Sequence, residues 1–204
     1  MTKVSLLLWD VGGVLLSNAW DLADRQLAAQ QFGLDAAEFE RRHEEVVDGF
    51  ERGQIDEEEY LRRTVFYAPR SFSRGTFRQF MRERSRPYPS ALATARALRV
   101  RGEYVMAALN NESSALNEYR ITTFHLSEIF HAFLSSCYTG RRKPEPDAYR
   151  YALAITQRAP EESLFLDDRL DNVKAAATLG LQTLWVRDRE RLKEDLAAAG
   201  VRTE

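Results

Sequence analysis

The chain has 204 residues, of which 29 are basic and 31 acidic, so its formal net charge at pH 7 is −2. An apolar content of 44% is too high for a disordered chain, and the near-neutral charge provides no field for binding nucleic acid. No apolar run approaches the roughly 20 residues that cross a bilayer, and we expect no export signal at the start of the sequence. The single cysteine, Cys137, excludes an internal disulfide. We therefore expect a soluble, cytoplasmic globular protein that binds neither nucleic acid nor membrane.

The first half of the chain begins with one strand and continues with helices. Val4–Trp9 is an almost wholly apolar run, which predicts a strand buried on both faces, and a glycine pair ends it two residues later. Helical spacing follows for about seventy residues. Four helices are predicted there, three with N-caps at Asn18, Asp35 and Asp56 and a fourth over Thr76–Arg84.

Beyond Pro87 and Pro89, strands and helices alternate. The predicted strands are Glu103–Leu109, Ala132–Ser136, Ser163–Leu166 and Leu181–Val186. The predicted helices are Ser90–Arg101, Ser114–Ile129, Pro146–Thr156, Asp171–Leu179 and Asp188–Ala199. This alternation implies right-handed βαβ units and a parallel sheet covered on both faces. The predicted fold class is therefore α/β, with a Rossmann-like parallel sheet built from 1–15 and 88–204 and an α-helical cap inserted at 16–87.

Polar side chains follow the predicted strands at the points where they end. Asp10 comes after the first strand, Asn110 and Asn111 after the second, and Asp167 and Asp168 after the fourth. Ligands of open α/β sheets bind beyond the carboxyl ends of the strands, so we expect these side chains to share one edge of the sheet.

Three carboxylates at one edge would repel one another unless a cation lay among them. Oxygen ligands of this kind suit a hard cation, and Mg²⁺ fits because it keeps several waters and leaves positions for a substrate phosphate. Lys143, in the loop after the third strand, is one of only four lysines beside 25 arginines (29 − 4), and it would add a compact positive charge. A nucleophile, a metal and positive charge are what phosphoryl transfer requires.

Four segments resemble the motifs of the haloacid dehalogenase (HAD) superfamily, in the branch whose small helical cap follows the first strand. In chain order they are LLLWDVGGVLL, AALNNES, RRKPEP and LFLDDRLDN. The cap segment GFERGQIDEEEYLRR is similar to a cap helix of sugar-phosphate phosphatases and of the phosphatase domain of soluble epoxide hydrolases. The resemblance implies a Mg²⁺-dependent phosphatase acting on a small phosphorylated metabolite, with a sugar phosphate favoured.

The resemblance also implies a role for each matching residue. Asp10 would be the nucleophile that becomes an aspartyl-phosphate, and Lys143 would neutralise the nucleophile and the transferring group. The Mg²⁺ ligands would be Asp10, the backbone carbonyl of Gly12, Asp167 and Asp168. The phosphoryl group would be bound by Gly12, Gly13, Asn110, Asn111 and Lys143, and Asp171 and Asn172 would support the metal ligands.

Two positions depart from the family pattern. The superfamily's phosphatases carry an Asp two residues after the nucleophile, as general acid for the leaving alcohol and base for the attacking water; here Gly12 takes its place. The family's Ser or Thr of the second motif is Asn110, whose amide can still donate a hydrogen bond. Because general acid–base help is worth about 10²–10⁴ in rate, we expect reduced activity. We expect a cap residue or water to replace the acid, or a substrate whose leaving group departs without much protonation, such as an anomeric sugar phosphate or an acyl phosphate.

Two other functions stay open at this stage. A catalytically weakened HAD-fold binding or regulatory protein would account for Gly12 and Asn110, whereas the retained Asp10 and Lys143 speak against it. A metal-free haloacid dehalogenase, in which the same Asp attacks carbon, is disfavoured, since such relatives lack the double Asp of the fourth motif and carry a bulky aromatic where Gly12 lies.

The remaining conspicuous side chains are interpreted as structural. Arg70–Arg86 holds six Arg and one Glu, but the preceding segment 35–59 holds eleven acids and three Arg, so we expect pairing within the cap. His43, His125 and His131 show no ligand spacing and are interpreted as ordinary surface or core residues. The sequence does not distinguish a monomer from a homodimer.

Overall fold

A computed structural model describes residues 3–203 and contains a five-stranded parallel sheet. Its strands are β1 (Leu6–Trp9), β2 (Val105–Ala108), β3 (Ala132–Phe133), β4 (Ser163–Asp167) and β5 (Gln182–Trp185). The order across the sheet is β3-β2-β1-β4-β5, and β1 pairs in parallel with both β2 and β4. The predicted α/β fold class with a parallel sheet is confirmed, and the carboxyl ends of the strands share one edge.

Helices cover the sheet and fill the segment between β1 and β2. They are α1 (Leu22–Phe32), α2 (Ala36–Glu51), α3 (Glu57–Thr64), α4 (Arg74–Glu83), α5 (Pro89–Arg101), α6 (Ser114–Thr123), α7 (Ser136–Thr139), α8 (Pro146–Thr156), α9 (Leu170–Thr178) and α10 (Leu192–Ala198). Short 3₁₀ turns lie at Leu126–Glu128, Pro160–Glu162 and Arg189–Arg191. Within residues 3–203, none of the helices combines the length and the apolar character that a membrane crossing demands.

Local capping chemistry sets several helix starts as predicted. The side chains of Asp35 and Asp56 accept the backbone N–H groups of Glu38 and Glu59 at 2.9 and 2.8 Å, which satisfies free donors in the first turns of α2 and α3. The N-cap predicted at Asn18 is wrong, because α1 begins at Leu22 and is capped by Asp21.

Left-handed backbone explains two of the misplaced boundaries. Ala19 and Trp20 have φ values of 39° and 63°, which a right-handed helix cannot contain, so α1 starts after them. His125 has a φ of 53°, so the helix predicted to reach Ile129 ends at Thr123. The strand predicted over Ala132–Ser136 is only two residues long, because the chain turns into the short helix α7, which is too short for periodicity to reveal.

The sheet is buried on both faces. Leu7 and Trp9 point into an apolar cluster with α5 and α10, whereas Leu6 and Leu8 point into a second cluster that includes Tyr149 of α8. All four residues of β1 are fully buried, as expected for the central strand of a parallel sheet. The sequence pattern that predicted this strand therefore reflects its position between two layers of helices.

The helices α1–α4 enclose a third apolar cluster of their own. Phe77 of α4 is fully buried there, and its ring contacts those of Trp20, Phe32 and Phe39. On the surface of these helices, Arg74 pairs with Glu58 at 2.8 Å and Arg78 with Glu57 at 2.9 Å, which confirms the expected pairing of this arginine-rich segment.

The chain passes between the sheet and these four helices along two adjacent segments. The backbone N–H of Ser17 donates to the carbonyl of Arg86 at 2.8 Å, and that of Tyr88 donates to Leu15 at 2.9 Å. The fully buried Arg120 of α6 donates to the carbonyls of Ser17 and Asn18. The boundaries predicted at 15/16 and 87/88 fall within these paired segments.

Candidate active site

The carboxyl edge of the sheet brings three aspartates together. Asp10 directly follows β1, Asp167 is the last residue of β4, and Asp168 comes next. One carboxylate oxygen from each lies within 4.8 Å of the others. The ladder hydrogen bonds continue to this point, with the N–H of Asp10 donating to Leu166 and the N–H of Val186 donating to Asp167, so the sheet itself fixes the spacing.

Lys143 lies between two of these carboxylates. Its side chain is buried, and Nζ lies 2.6 Å from Oδ2 of Asp167 and 3.1 Å from Oδ1 of Asp10. Asn111 holds the lysine in place from the next loop, because its Nδ2 donates to the carbonyl of Lys143 at 2.8 Å and its Oδ1 accepts the N–H of Lys143 at 2.9 Å. The side chain of Asn111, predicted to bind the phosphoryl group, therefore makes both of these bonds to the lysine backbone.

Burial and charge act in opposite directions on the Asp10–Lys143 pair. Burial raises the pKa of Asp10 to about 8, with Lys143 opposing the rise and Asp167 and Asp168 adding to it. For Lys143, burial disfavours the charged form, but the two carboxylates outweigh that effect and the pKa is raised above its ordinary value. The Lys143 ammonium is thus shared between Asp10 and Asp167, and Asp168 lies 3.6 Å from Arg189, so two positive charges face three acids.

Asp168 provides the strongest evidence for a cation site. Its Oδ2 accepts a hydrogen bond from Nδ2 of Asn18 at 3.2 Å and lies 3.6 Å from Arg189, but its Oδ1 is buried and has no hydrogen-bond partner among residues 3–203. A buried carboxylate oxygen without a partner is costly unless an ion satisfies it. The all-oxygen donor set fits a hard divalent cation.

Asn172 and Asp171 differ in their relation to this cluster. Nδ2 of Asn172 lies 3.1 and 3.0 Å from the two oxygens of Asp167, and the backbone N–H of Arg169 donates to Oδ1 of Asp167 at 2.7 Å. Asp171 is exposed and lies outside the three-aspartate cluster of the described residues. The position of Asn172 suits the supporting role predicted for it, whereas the role predicted for Asp171 finds no such contact in residues 3–203.

Two of the groups predicted to bind phosphate face the protein. Nδ2 of Asn110 donates to Asn117 at 3.1 Å, and its Oδ1 accepts from Ser135 at 2.7 Å. The N–H of Gly13 donates to the carbonyl of Leu16 at 2.7 Å. Their roles in phosphate binding stay predictions.

A cavity of about 340 Å³ opens between the strand ends and the helices α1 and α2. The segments after the strands contribute Asp10, Gly12 and Lys143 to its wall. The segment between β1 and β2 that contains α1 and α2 contributes Trp20, His43 and Phe50. The aspartate predicted as nucleophile from the sequence therefore lines a cavity that could receive a substrate.

Comparison with known proteins places the chain in a family. Residues 4–180 match the haloacid dehalogenase-like hydrolases. The chain belongs to this family. The protein is a HAD-like hydrolase with the family's α/β fold.

Named relatives of this HAD protein include two enzymes that match along nearly all of it. The chain is 26% identical over 191 residues to the sesquiterpene phosphatase astK of Aspergillus oryzae, covering 92% of each chain. It is 28% identical over 200 residues to flavin mononucleotide hydrolase 1 of Arabidopsis thaliana, covering 98% of this chain and 79% of the relative. A HAD family enzyme of Bacteroides thetaiotaomicron, crystallised with magnesium and inorganic phosphate, shares the fold with a TM-score of 0.69 at 21% identity, covering 89% of this chain and 93% of the other.

The cavity wall of this HAD protein includes residues that the sequence did not single out. Asn18 was interpreted as a helix cap, yet it hydrogen-bonds Asp168 and lines the cavity. His43 was interpreted as an ordinary histidine, yet it is buried and lines the same space. Glu112, a buried residue of the second motif, also lines it. Asn18 and Glu112 lie in the segments after β1 and β2, whereas His43 reaches the cavity only through the packing of α2, which its spacing in the sequence does not reveal.

Proposed function

We propose that the protein is a Mg²⁺-dependent phosphatase that acts on a small phosphorylated metabolite through an aspartyl-phosphate on Asp10, with residues 16–87 as a cap over the site. The observation that carries the proposal is the cluster of Asp10, Asp167 and Asp168 around one buried lysine, with an unpartnered oxygen on Asp168. The relatives named as a phosphatase and a mononucleotide hydrolase, and the Bacteroides enzyme crystallised with magnesium and inorganic phosphate, support it.

The residues present fit a magnesium ion. Asp10, the carbonyl of Gly12 and Asp168 would hold it, and Asp167 would bind it directly or through water. When bound, Mg²⁺ neutralises the carboxylates and stabilises the negative charge of the transferring phosphoryl group. Lys143 contributes a second, fixed positive charge to the same region from its position beside Asp10 and Asp167.

The two oxygens of Asp10 are suited to different tasks. Oδ1 accepts the N–H of Val11 at 2.8 Å and lies beside Lys143, which fixes the carboxylate. Oδ2 accepts no hydrogen bond from residues 3–203, so we assign it the attack on phosphorus. A bond forms between Oδ2 and phosphorus, and the bond from phosphorus to the leaving oxygen breaks. Water then attacks phosphorus, the bond between phosphorus and Oδ2 breaks, and the proton lost by water passes to solvent, which releases inorganic phosphate and restores the carboxylate of Asp10.

The leaving group determines which substrates suit this site. Gly12 has no side chain to protonate the departing oxygen, which takes its proton from water. Substrates with stable leaving groups, such as an anomeric sugar phosphate or an acyl phosphate, are therefore favoured over simple alkyl phosphates. An anomeric sugar phosphate combines such a leaving group with a size that suits the cavity.

Hydrolysis of an activated aryl phosphate by the purified protein tests the proposal. We expect turnover only with Mg²⁺, and we expect Asp10→Asn to abolish it. The control Asp147→Asn alters an exposed carboxylate on α8 that pairs with Arg141. This variant should retain wild-type activity. Activity that survives EDTA or the Asp10 substitution would rule out the aspartyl-phosphate scheme.

A weakened HAD-fold binding protein is the second candidate, and the glycine at position 12 is the observation in its favour. Such a protein would bind Mg²⁺ and inorganic phosphate at the same residues. Its signature would be calorimetric binding of both ligands, abolished by Asp168→Asn, without turnover of any ester tested.

A further inference from the structure

A chain of three side chains links the walls of the cavity to each other. Nε1 of Trp20 donates to the hydroxyl of Tyr60 at 2.8 Å, and that hydroxyl lies 2.8 Å from Nδ1 of His43. Tyr60 is fully buried and His43 is 7% exposed. Trp20 and His43 line the cavity, so the chain of hydrogen bonds starts and ends at its wall.

The direction of these hydrogen bonds decides what His43 offers to the cavity. An indole N–H can only donate, so the Tyr60 oxygen accepts from Trp20. We assign the Tyr60 hydrogen to Nδ1 of His43, which then accepts it and carries the ring hydrogen on Nε2. Nε2 has no hydrogen-bond partner among residues 3–203, and His43 lines the cavity.

Other polar groups of this wall are already paired. Arg25 binds Glu40 through two hydrogen bonds of 2.7 and 2.6 Å, and its third nitrogen donates to the carbonyl of Trp20 at 2.6 Å. Arg142 pairs with two acidic residues of α2, Asp48 at 2.8 Å and Glu51 at 2.7 Å. Nε of Arg142 is also buried without a partner among residues 3–203, but it belongs to a charged group, so His43 differs in offering an uncharged donor.

His43 is uncharged at neutral pH. Burial lowers the pKa of its imidazole to about 4, and the positive charges of Arg25 and Arg142 lower it further against the opposing effect of Glu40. A neutral ring with its Nδ1 already bonded is a poor acid for a leaving group. It is a good donor to an uncharged oxygen, and the apolar rings of Trp20 and Phe50 in the same wall favour an uncharged partner.

We propose that Nε2–H of His43 binds an uncharged acceptor oxygen (a hydroxyl, ether or carbonyl) on the organic part of the substrate. This inference rests on the proposed phosphatase function and narrows its substrates to monophosphate esters whose organic part carries such an oxygen close to the phosphate. His43 acts in recognition, and Tyr60 and Trp20 are positioning residues that fix its ring.

The first test compares matched esters with and without oxygen. The probes are a panel of hexose, pentose and triose phosphates, each paired with a deoxygenated analogue such as cyclohexylmethyl phosphate for glucose 6-phosphate. We expect at least one sugar phosphate to exceed its analogue in kcat/KM. For that substrate, His43→Phe should raise KM about tenfold and leave kcat unchanged. The kinetic constants for the analogue and for an aryl phosphate should not change. His43→Gln, which keeps an N–H donor, should recover most of the loss in affinity.

Two results in this assay would overturn the inference. One is the absence of any preference for an oxygenated ester over its analogue. The other is an equal effect of His43→Phe on both members of a pair, which would show a purely structural role. Wild-type turnover of the aryl phosphate separates these results from failure of the phosphatase proposal itself.

Nitrogen NMR of the histidine ring provides a test that does not depend on turnover. In the wild-type protein we expect a neutral ring with its hydrogen on Nε2. Tyr60→Phe should increase the population of the tautomer with its hydrogen on Nδ1. Thr64 also lies beside the Tyr60 hydroxyl, and a hydrogen directed there would leave the ring hydrogen of His43 on Nδ1. Observation of that opposite tautomer would contradict the inference.

Discussion

The amide of Asn18 lies in tight contact with the position that a side chain on Gly12 would take. A Cβ built at position 12 would lie 3.1 Å from Oδ1 of Asn18, which is tighter than nine in ten real Cβ contacts, so Asn18 must shift by a few tenths of an ångström to admit it. Asn18 is fixed there, because its Nδ2 donates to Asp168 at 3.2 Å and its carbonyl accepts from the buried Arg120 at 2.8 Å. The direction in which HAD phosphatases extend their general acid is thus occupied by a group that supplies no proton.

Restoring the family's acid therefore requires two changes. Gly12→Asp alone should not raise the hydrolysis of an alkyl phosphate above wild type, because the new side chain must displace Asn18. Gly12→Asp combined with Asn18→Gly should raise it by about tenfold or more, within the range of general acid catalysis. The measurement is kcat/KM for both variants and for Asn18→Gly as the control. A gain from Gly12→Asp alone as large as that of the double variant would show that Asn18 is no obstacle.

The absence of an acid at position 12 also predicts how rate depends on the leaving group. Across a series of phosphate monoesters, kcat/KM should rise steeply as the leaving alcohol becomes more acidic, because the departing oxygen carries its negative charge without help. A rate that is flat across the series would mean that another side chain protonates the leaving group.

Gly13 is predicted to be essential for the metal site. Its φ is +72°, and a Cβ at this position would lie 2.0 Å from Oδ2 of Asp168, so Gly13→Ala should displace that carboxylate and weaken Mg²⁺ binding at least about tenfold. Gly102→Ala is a matched control, because Gly102 has a φ of +69° and nothing within 4 Å of its Cβ position.

Both glycine variants should lose about 1 kcal/mol of unfolding free energy from left-handed backbone strain, but only Gly13→Ala should lose the metal. Calorimetric titration with Mg²⁺ and urea unfolding separate the two effects. Equal Mg²⁺ affinity in the two variants would show that the position of Asp168 does not depend on Gly13.

Much of this site was predictable from sequence because it depends on sheet topology. The carboxyl ends of parallel strands meet, so Asp10, Asp167 and Asp168 had to converge wherever the helices packed. The caps at Asp35 and Asp56 were equally local, since each bonds a backbone group three residues away. The convergence of these aspartates and the two caps could be predicted because they rest on such topological or short-range constraints, whereas the cap predicted at Asn18 was wrong.

The rest depended on packing between distant residues. Asn18 bonds Asp168 from the position just before the left-handed backbone at Ala19 and Trp20, and no residue type in that segment predicts this arrangement. His43 faces the cavity because of the contact with Tyr60 on another helix. Whether an amide such as that of Asn110 faces a ligand or a protein neighbour is likewise decided by tertiary contacts.

The buried imidazole of His43 predicts a pH dependence of stability. Its pKa is about 4 in the folded protein and 6.5 ordinarily, so the unfolded chain binds more protons between these values. The contribution of His43 is fully present above pH 6.5 and is lost as the pH falls toward 4. The total loss is about 3 kcal/mol for a shift of this size.

Urea unfolding of wild type and His43→Gln across this pH range measures that contribution directly. The difference between the two curves isolates His43 from the other groups, whose titrations both proteins share. The wild type should lose more stability than the variant on acidification. Parallel curves would show that the imidazole is not buried in its neutral form.

The most direct test of the central claim is mass spectrometry of protein quenched in acid during turnover of an aryl phosphate. The account predicts one added phosphoryl group on the peptide that contains Asp10, formed only with Mg²⁺ and absent from Asp10→Asn. A phosphoryl group on any other side chain, or hydrolysis by Asp10→Asn at the wild-type rate, would contradict it.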